Sequence, residues 1–133
     1  MKDPLFLLVD EVLELQARLL AEHGGQQGVR DRGLLESAVA TPQASFGGDF
    51  LHEDIFAMAA AYAFHLASNH PFIDGNKRIA LAAAATFLAV NGYEITADDE
   101  ALYQSMIAVA SGNLDKDALT DFFRANTAKA TAP

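Results

Sequence analysis

Apolar residues recur at positions 5, 8, 9, 12, 13, 15, 19 and 20 and then stop at Gly24-Gly25. That spacing predicts a helix from Leu5 to about Glu22. Asp31 offers its side chain as an N-cap for a second helix, which runs to about Ala40 and is closed by Pro42. Between Gln43 and Leu51, a Gly47-Gly48-Asp49 turn separates Ala44-Ser45-Phe46 from Phe50-Leu51, the pattern of a small hairpin. Glu53 to Ser68 reads as a strong helix, rich in alanine and carrying Phe56, Met58, Tyr62 and Phe64.

The stretch from Asn76 to Val90 is apolar almost all round, so it is expected to be the buried central helix. Asn91-Gly92 ends it, and Tyr93-Glu94-Ile95 reads as a short extended piece. Thr96 or Asp98 can cap a further helix to about Ala110, which Ser111-Gly112-Asn113 breaks. Asp115 starts the last helix, to about Asn126. The expectation is an all-α domain over residues 1–126 with a small hairpin, and a flexible tail over 127–133.

Composition narrows the function classes. At 133 residues the chain is long enough for one domain with one core. It has no cysteine, which excludes disulfides and thiolate metal sites. Its net charge of −9, with only nine Lys and Arg, argues against a broad nucleic-acid-binding face. The longest nearly apolar run, Ile79 to Val90, falls short of the roughly 20 residues a bilayer needs. Met1-Lys2-Asp3-Pro4 shows no basic-then-apolar leader pattern, so the expectation is a soluble cytoplasmic protein with no membrane contact.

The chemistry is concentrated in His70-Pro71-Phe72-Ile73-Asp74-Gly75-Asn76-Lys77-Arg78. Pro71 restricts His70 toward extended geometry, so the preceding helix is expected to stop near Asn69. His70 is the candidate general base, because a neutral imidazole can take a proton from an attacking hydroxyl. Gly75, Asn76, Lys77 and Arg78 are the candidate phosphate cradle: backbone N–H groups at a helix start, an arginine fork and a lysine charge. Two cations at a helix N-terminus oppose the dipole unless an anion is present. Asp74 is the candidate Mg²⁺ ligand, since magnesium takes one or two protein carboxylates together with substrate phosphates. A plain helix cap is the bland reading of the same residue. Phe72 is expected to anchor the loop in the core, and Asn69 to support it by bonding backbone. His23, His52 and His65 read as structural or exposed, and no His-x-x-x-His spacing supports a zinc site.

This nine-residue run resembles the signature loop of the Fic/Doc family, His-Pro-Phe-x-(Asp/Glu)-Gly-Asn-(Gly/Lys)-Arg, at every fixed position. Gly24-Gly25 and Gly28-Val29-Arg30-Asp31-Arg32-Gly33-Leu34-Leu35-Glu36-Ser37-Ala38 also resemble the start of chains of the Doc branch. The resemblance implies a Fic-like helical bundle whose hairpin is a flap that holds a target segment. It implies a toxin of a toxin–antitoxin pair that uses ATP and Mg²⁺ to phosphorylate a Ser or Thr of elongation factor Tu and arrest translation. It also implies an antitoxin whose flexible tail folds over the toxin.

Lys77 stands where the AMP-transferring members carry glycine, and Leu81 where they usually carry a second arginine. Both departures favour phosphoryl transfer over nucleotidyl transfer. Thr96-Ala97-Asp98-Asp99-Glu100-Ala101 departs from the family's inhibitory helix motif, which favours inhibition by a separate chain. An AMP transferase and an inactive binding module of the same fold remain the alternatives.

Overall fold

A computed structural model describes residues 3–130. The chain forms α1 (Val9–His23), α2 (Arg32–Ala40), a 3₁₀ turn (Thr41–Gln43), β1 (Ser45–Phe46), β2 (Asp49–Phe50), α3 (Ile55–Asn69) and α4 (Asn76–Val90). These are followed by β3 (Tyr93–Ile95), α5 (Asp99–Ala110), α6 (Lys116–Ala125) and β4 (Thr127–Lys129). The result is a mostly helical bundle carrying two small antiparallel sheets, β1–β2 and β3–β4. No described helix is long and apolar enough to cross a membrane.

The central position belongs to α3, with α4 as its principal neighbour, rather than to α4 itself. α3 buries Met58, Ala59, Ala60, Ala61, Tyr62, Ala63, Leu66 and Ala67, and packs against α2, α4, α5 and α6. Its alanines let four neighbours approach on different sides. α4 buries Ile79, Ala80, Ala83, Ala84, Phe87 and Leu88 but opens its first turn toward solvent. Tyr62 and Phe87 meet across the α3–α4 contact with ring centroids 5.0 Å apart.

Two boundaries differ from the sequence expectation, both because of partners distant in sequence. α1 begins at Val9, not Leu5, because Leu5 and Leu7 are spent on tertiary contacts. Leu5 exchanges two main-chain hydrogen bonds with the Asn91 carboxamide, and the Leu7 N–H donates to the Tyr62 hydroxyl at 2.9 Å. Glu11 then closes the helix start by accepting from the Leu8 N–H at 2.8 Å. At the other end, Thr127–Lys129 are not part of a frayed tail: Ile95 pairs with Thr127 and Tyr93 with Lys129. Residues 131–133 of the expected tail lie outside the described residues.

His52 and His65 share one cation. The Lys116 ammonium donates to His52 Nε2 at 3.2 Å and to His65 Nε2 at 3.3 Å, which ties the segment after the hairpin to α3 and α6. Burial, then the charges of Lys116 and His52, push His65 down from 6.5 to about 4; burial and Lys116 lower His52 as well. Between those values the unfolded chain binds protons at sites the folded chain keeps neutral. Stability therefore falls as pH drops from about 6.5 toward about 4. Thermal unfolding of wild type and His65→Asn across this window checks it: the wild-type midpoint should fall more steeply with acidification than that of the variant.

Candidate active site

The signature loop begins where α3 ends. His70 is the helix C-cap and takes the left-handed conformation, φ 47 and ψ 56, which corrects the extended geometry expected of a residue before proline. A left-handed cap reverses the chain within one residue and delivers Pro71 and Phe72 directly into the core, where Phe72 is 1% exposed. For a non-glycine residue this geometry costs about 1–2 kcal/mol, and the surroundings must enforce it.

The enforcement comes from the segment between α1 and α2. Arg30 donates from Nε to the His70 carbonyl at 2.7 Å and from Nη2 to the Asn69 carbonyl at 2.8 Å. Its guanidinium thus sits at the negative end of α3, where a cation is favourable. The contact with Asn69 uses its main-chain carbonyl, and its side chain makes no hydrogen bond to the loop among the described residues. The Arg30 and Asp31 N–H groups both donate to the Pro71 carbonyl, at 2.7 and 3.0 Å. Val29 bridges Phe72, and the Ile73 N–H donates to the Gly28 carbonyl at 3.1 Å. Residues 25–31 therefore form a strap laid along the loop. Gln16 on α1 fixes the strap in turn by donating to the Gly28 carbonyl.

Asn76 is turned inward. Its carboxamide accepts from the Phe72 N–H at 2.9 Å and donates to the Phe72 carbonyl at 3.0 Å, so it staples the loop to the first residue of α4. What Asn76 leaves for an anion is its main-chain N–H. Asp74, exposed, takes the Gly75 N–H on Oδ1 at 2.9 Å and the Gln26 N–H on Oδ2 at 3.1 Å.

α4 starts differently from its neighbours. Asp31, Asp54, Asp98 and Asp115 cap α2, α3, α5 and α6 by accepting from a first-turn N–H, whereas α4 begins at left-handed Gly75 with no side-chain cap. Its first turn is Asn76, Lys77 and Arg78, and neither cation forms an ion pair among the described residues. Uncapped N–H groups, the helix dipole and two positive residues share one helical turn, which suits a phosphate.

Asp74 supplies hard oxygen with acceptor capacity to spare. No cluster of three or more His, Asp or Glu among the described residues could hold an ion unaided. An ion here would lean on substrate phosphates and water, a donor set that fits Mg²⁺. The hairpin presents Phe46 at 81% exposure, while Phe50 packs on Phe6, ring centroids 5.5 Å apart, and Phe6 on Phe87 of α4.

The residues that sequence reasoning missed are Gly25, Gln26, Gly28 and Arg30. The signal was present as three glycines just before an arginine, but their roles depend on residues 39 or more positions away.

The Fic/DOC family model matches residues 6–88, which span α1, the strap, the hairpin, α3, the loop and most of α4. The chain is 44% identical over 98 residues to a protein named Toxin Doc from Mycolicibacterium smegmatis, covering 72% of this chain and 75% of that one. It is 30% identical over 115 residues to a protein named Protein kinase doc from Escherichia phage P1, covering 86% and 90%.

Asn76→Ala leaves the Phe72 N–H and carbonyl without partners beneath the loop. A loss of about 1–3 kcal/mol is expected in chemical denaturation. An unchanged denaturation midpoint would remove Asn76 from the loop's support.

Proposed function

The chain belongs to the Fic/DOC family, and from that premise we propose that it is the toxin of a toxin–antitoxin pair, acting as a protein kinase. In this reading a Ser or Thr hydroxyl of a translation factor, elongation factor Tu, attacks the γ-phosphorus of ATP. The new O–P bond forms as the bond to the β,γ-bridging oxygen breaks. ADP leaves, and the hydroxyl proton passes to the His70 imidazole.

One observation carries the reading most: the uncapped start of α4 joins Lys77, Arg78 and the free N–H groups of its first turn. They bind and orient the triphosphate and meet the charge that develops on the transferred group. Asp74 would hold Mg²⁺, which when bound neutralises phosphate charge and links the nucleotide to the loop. The His70 side chain stands at the exposed cap of α3, and Arg30 holds that cap in place.

Lys77 supports phosphoryl over nucleotidyl transfer. Its ammonium fills space and adds charge where AMP-transferring relatives have bare backbone, and Leu81 removes their second arginine. The name of one relative supports a toxin and that of the other a kinase. An inhibitory partner follows from the toxin reading, with exposed Phe46 as a contact for its segment.

The test is to incubate the protein with cell lysate and ATP labelled separately at the α- and γ-phosphorus. Label from γ on a protein supports the kinase, label from α replaces it with AMP transfer, and neither replaces it with a binding module. His70→Ala is expected to lower the transfer rate by about 10²–10⁴ with the fold intact by circular dichroism. Full activity in that variant would remove His70 from the reaction.

A further inference from the structure

An exposed carboxylate that must act as the one protein ligand of a metal needs something to aim it. Asp74 lies on the loop outside α4, and its neighbour Gly75 fixes only Oδ1, through a hydrogen bond that moves with the loop itself. The second oxygen is fixed from 48 residues away, by the Gln26 N–H at 3.1 Å.

Gly25 makes that approach feasible. It has φ +118, and a Cβ built on it would lie 2.9 Å from Asp74 Oδ2, 3.5 Å from Asp74 Cγ and 3.1 Å from Leu20 Cδ2. A side chain at Gly25 would therefore have to displace the carboxylate. Gly24, one residue earlier, also has positive φ, at +76, but nothing lies within 4 Å of its added Cβ.

We propose that Gly25 and Gln26 are positioning residues for the metal ligand Asp74, acting as an outer shell that sets the carboxylate's orientation toward the ion. This rests on the assignment of Asp74 as the metal ligand made above. Magnesium tolerates little departure from octahedral geometry, so a carboxylate turned by a wedge at Gly25 would bind it more weakly. Outer partners of metal ligands typically contribute about 10- to 100-fold in affinity.

The probe is Mn²⁺, titrated into protein holding a non-hydrolysable ATP analogue and followed by water-proton relaxation. Gly25→Ala is expected to weaken Mn²⁺ binding about 10- to 100-fold. Gly24→Ala, which strains the same backbone without touching Asp74, should stay within about 2-fold, and Asp74→Ala should be at least as weak as Gly25→Ala. In the transfer assay, Gly25→Ala should need proportionally more Mg²⁺ for half-maximal rate and recover near wild-type rate at saturating Mg²⁺. A wild-type measurement that needs no folded glycine variant is the ¹⁵N NMR signal of the Gln26 amide, which should move as Mg²⁺ is added to the nucleotide complex.

Wild-type Mn²⁺ affinity in Gly25→Ala beside a weakened Asp74→Ala would overturn the positioning role alone. An activity loss that Mg²⁺ does not restore, or a Gln26 amide that does not respond, would also overturn it. Wild-type affinity in Asp74→Ala would overturn the metal assignment and the positioning role together.

Discussion

Lys77 and Arg78 occupy the first turn of α4, where the backbone already carries the equivalent of about half a positive charge. Each cation placed there opposes helix formation by about 0.3–1 kcal/mol, and no carboxylate cap relieves it. The helix forms because its later turns are secured elsewhere: Ile79, Ala80, Ala83, Ala84, Phe87 and Leu88 are buried, mainly against α3. Burial of the body thus leaves the start of the helix free to be electrostatically incomplete. An anion would complete it.

The other parts of the site serve that incomplete start. Phe72 is sunk in the core and Asn76 grips its main chain from both sides, so the loop and the first turn of α4 move as one body. Arg30 secures the end of α3 and the strained His70, while Gln26 and Gly25 reach the Asp74 carboxylate. All three come from one glycine-bearing strap, so His70, Asp74 and the loop leading into α4 share a single support.

What the sequence disclosed follows how local each cause is. The Asp31 cap, the bounds Asn76–Val90 and the glycine turn of the hairpin were legible because neighbours in sequence decide them. The residue-before-proline rule misses the His70 cap because the rule is local, while Arg30 and the buried Phe72 that override it are not. β4 is hidden in the sequence because a three-residue strand is visible only through its partner, Tyr93–Ile95. The late start of α1 depends on Asn91 and Tyr62, far along the chain. Asn76 looked like a phosphate ligand by type, and only the geometry turns its carboxamide inward. The residue types of the site were therefore readable, and their supports were not.

The central claim is that the start of α4 is unfavourable alone and satisfied by the phosphates of a nucleotide. Thermal unfolding of wild type and the double variant Lys77→Gln/Arg78→Gln, each with and without Mg²⁺ and a non-hydrolysable ATP analogue, tests it most directly. Without nucleotide the double variant should unfold about 2–5 °C above wild type, because two charges no longer oppose the dipole. With nucleotide the wild type should rise and the variant should not. A variant less stable than wild type without nucleotide, and equally stabilised by it, would contradict the account.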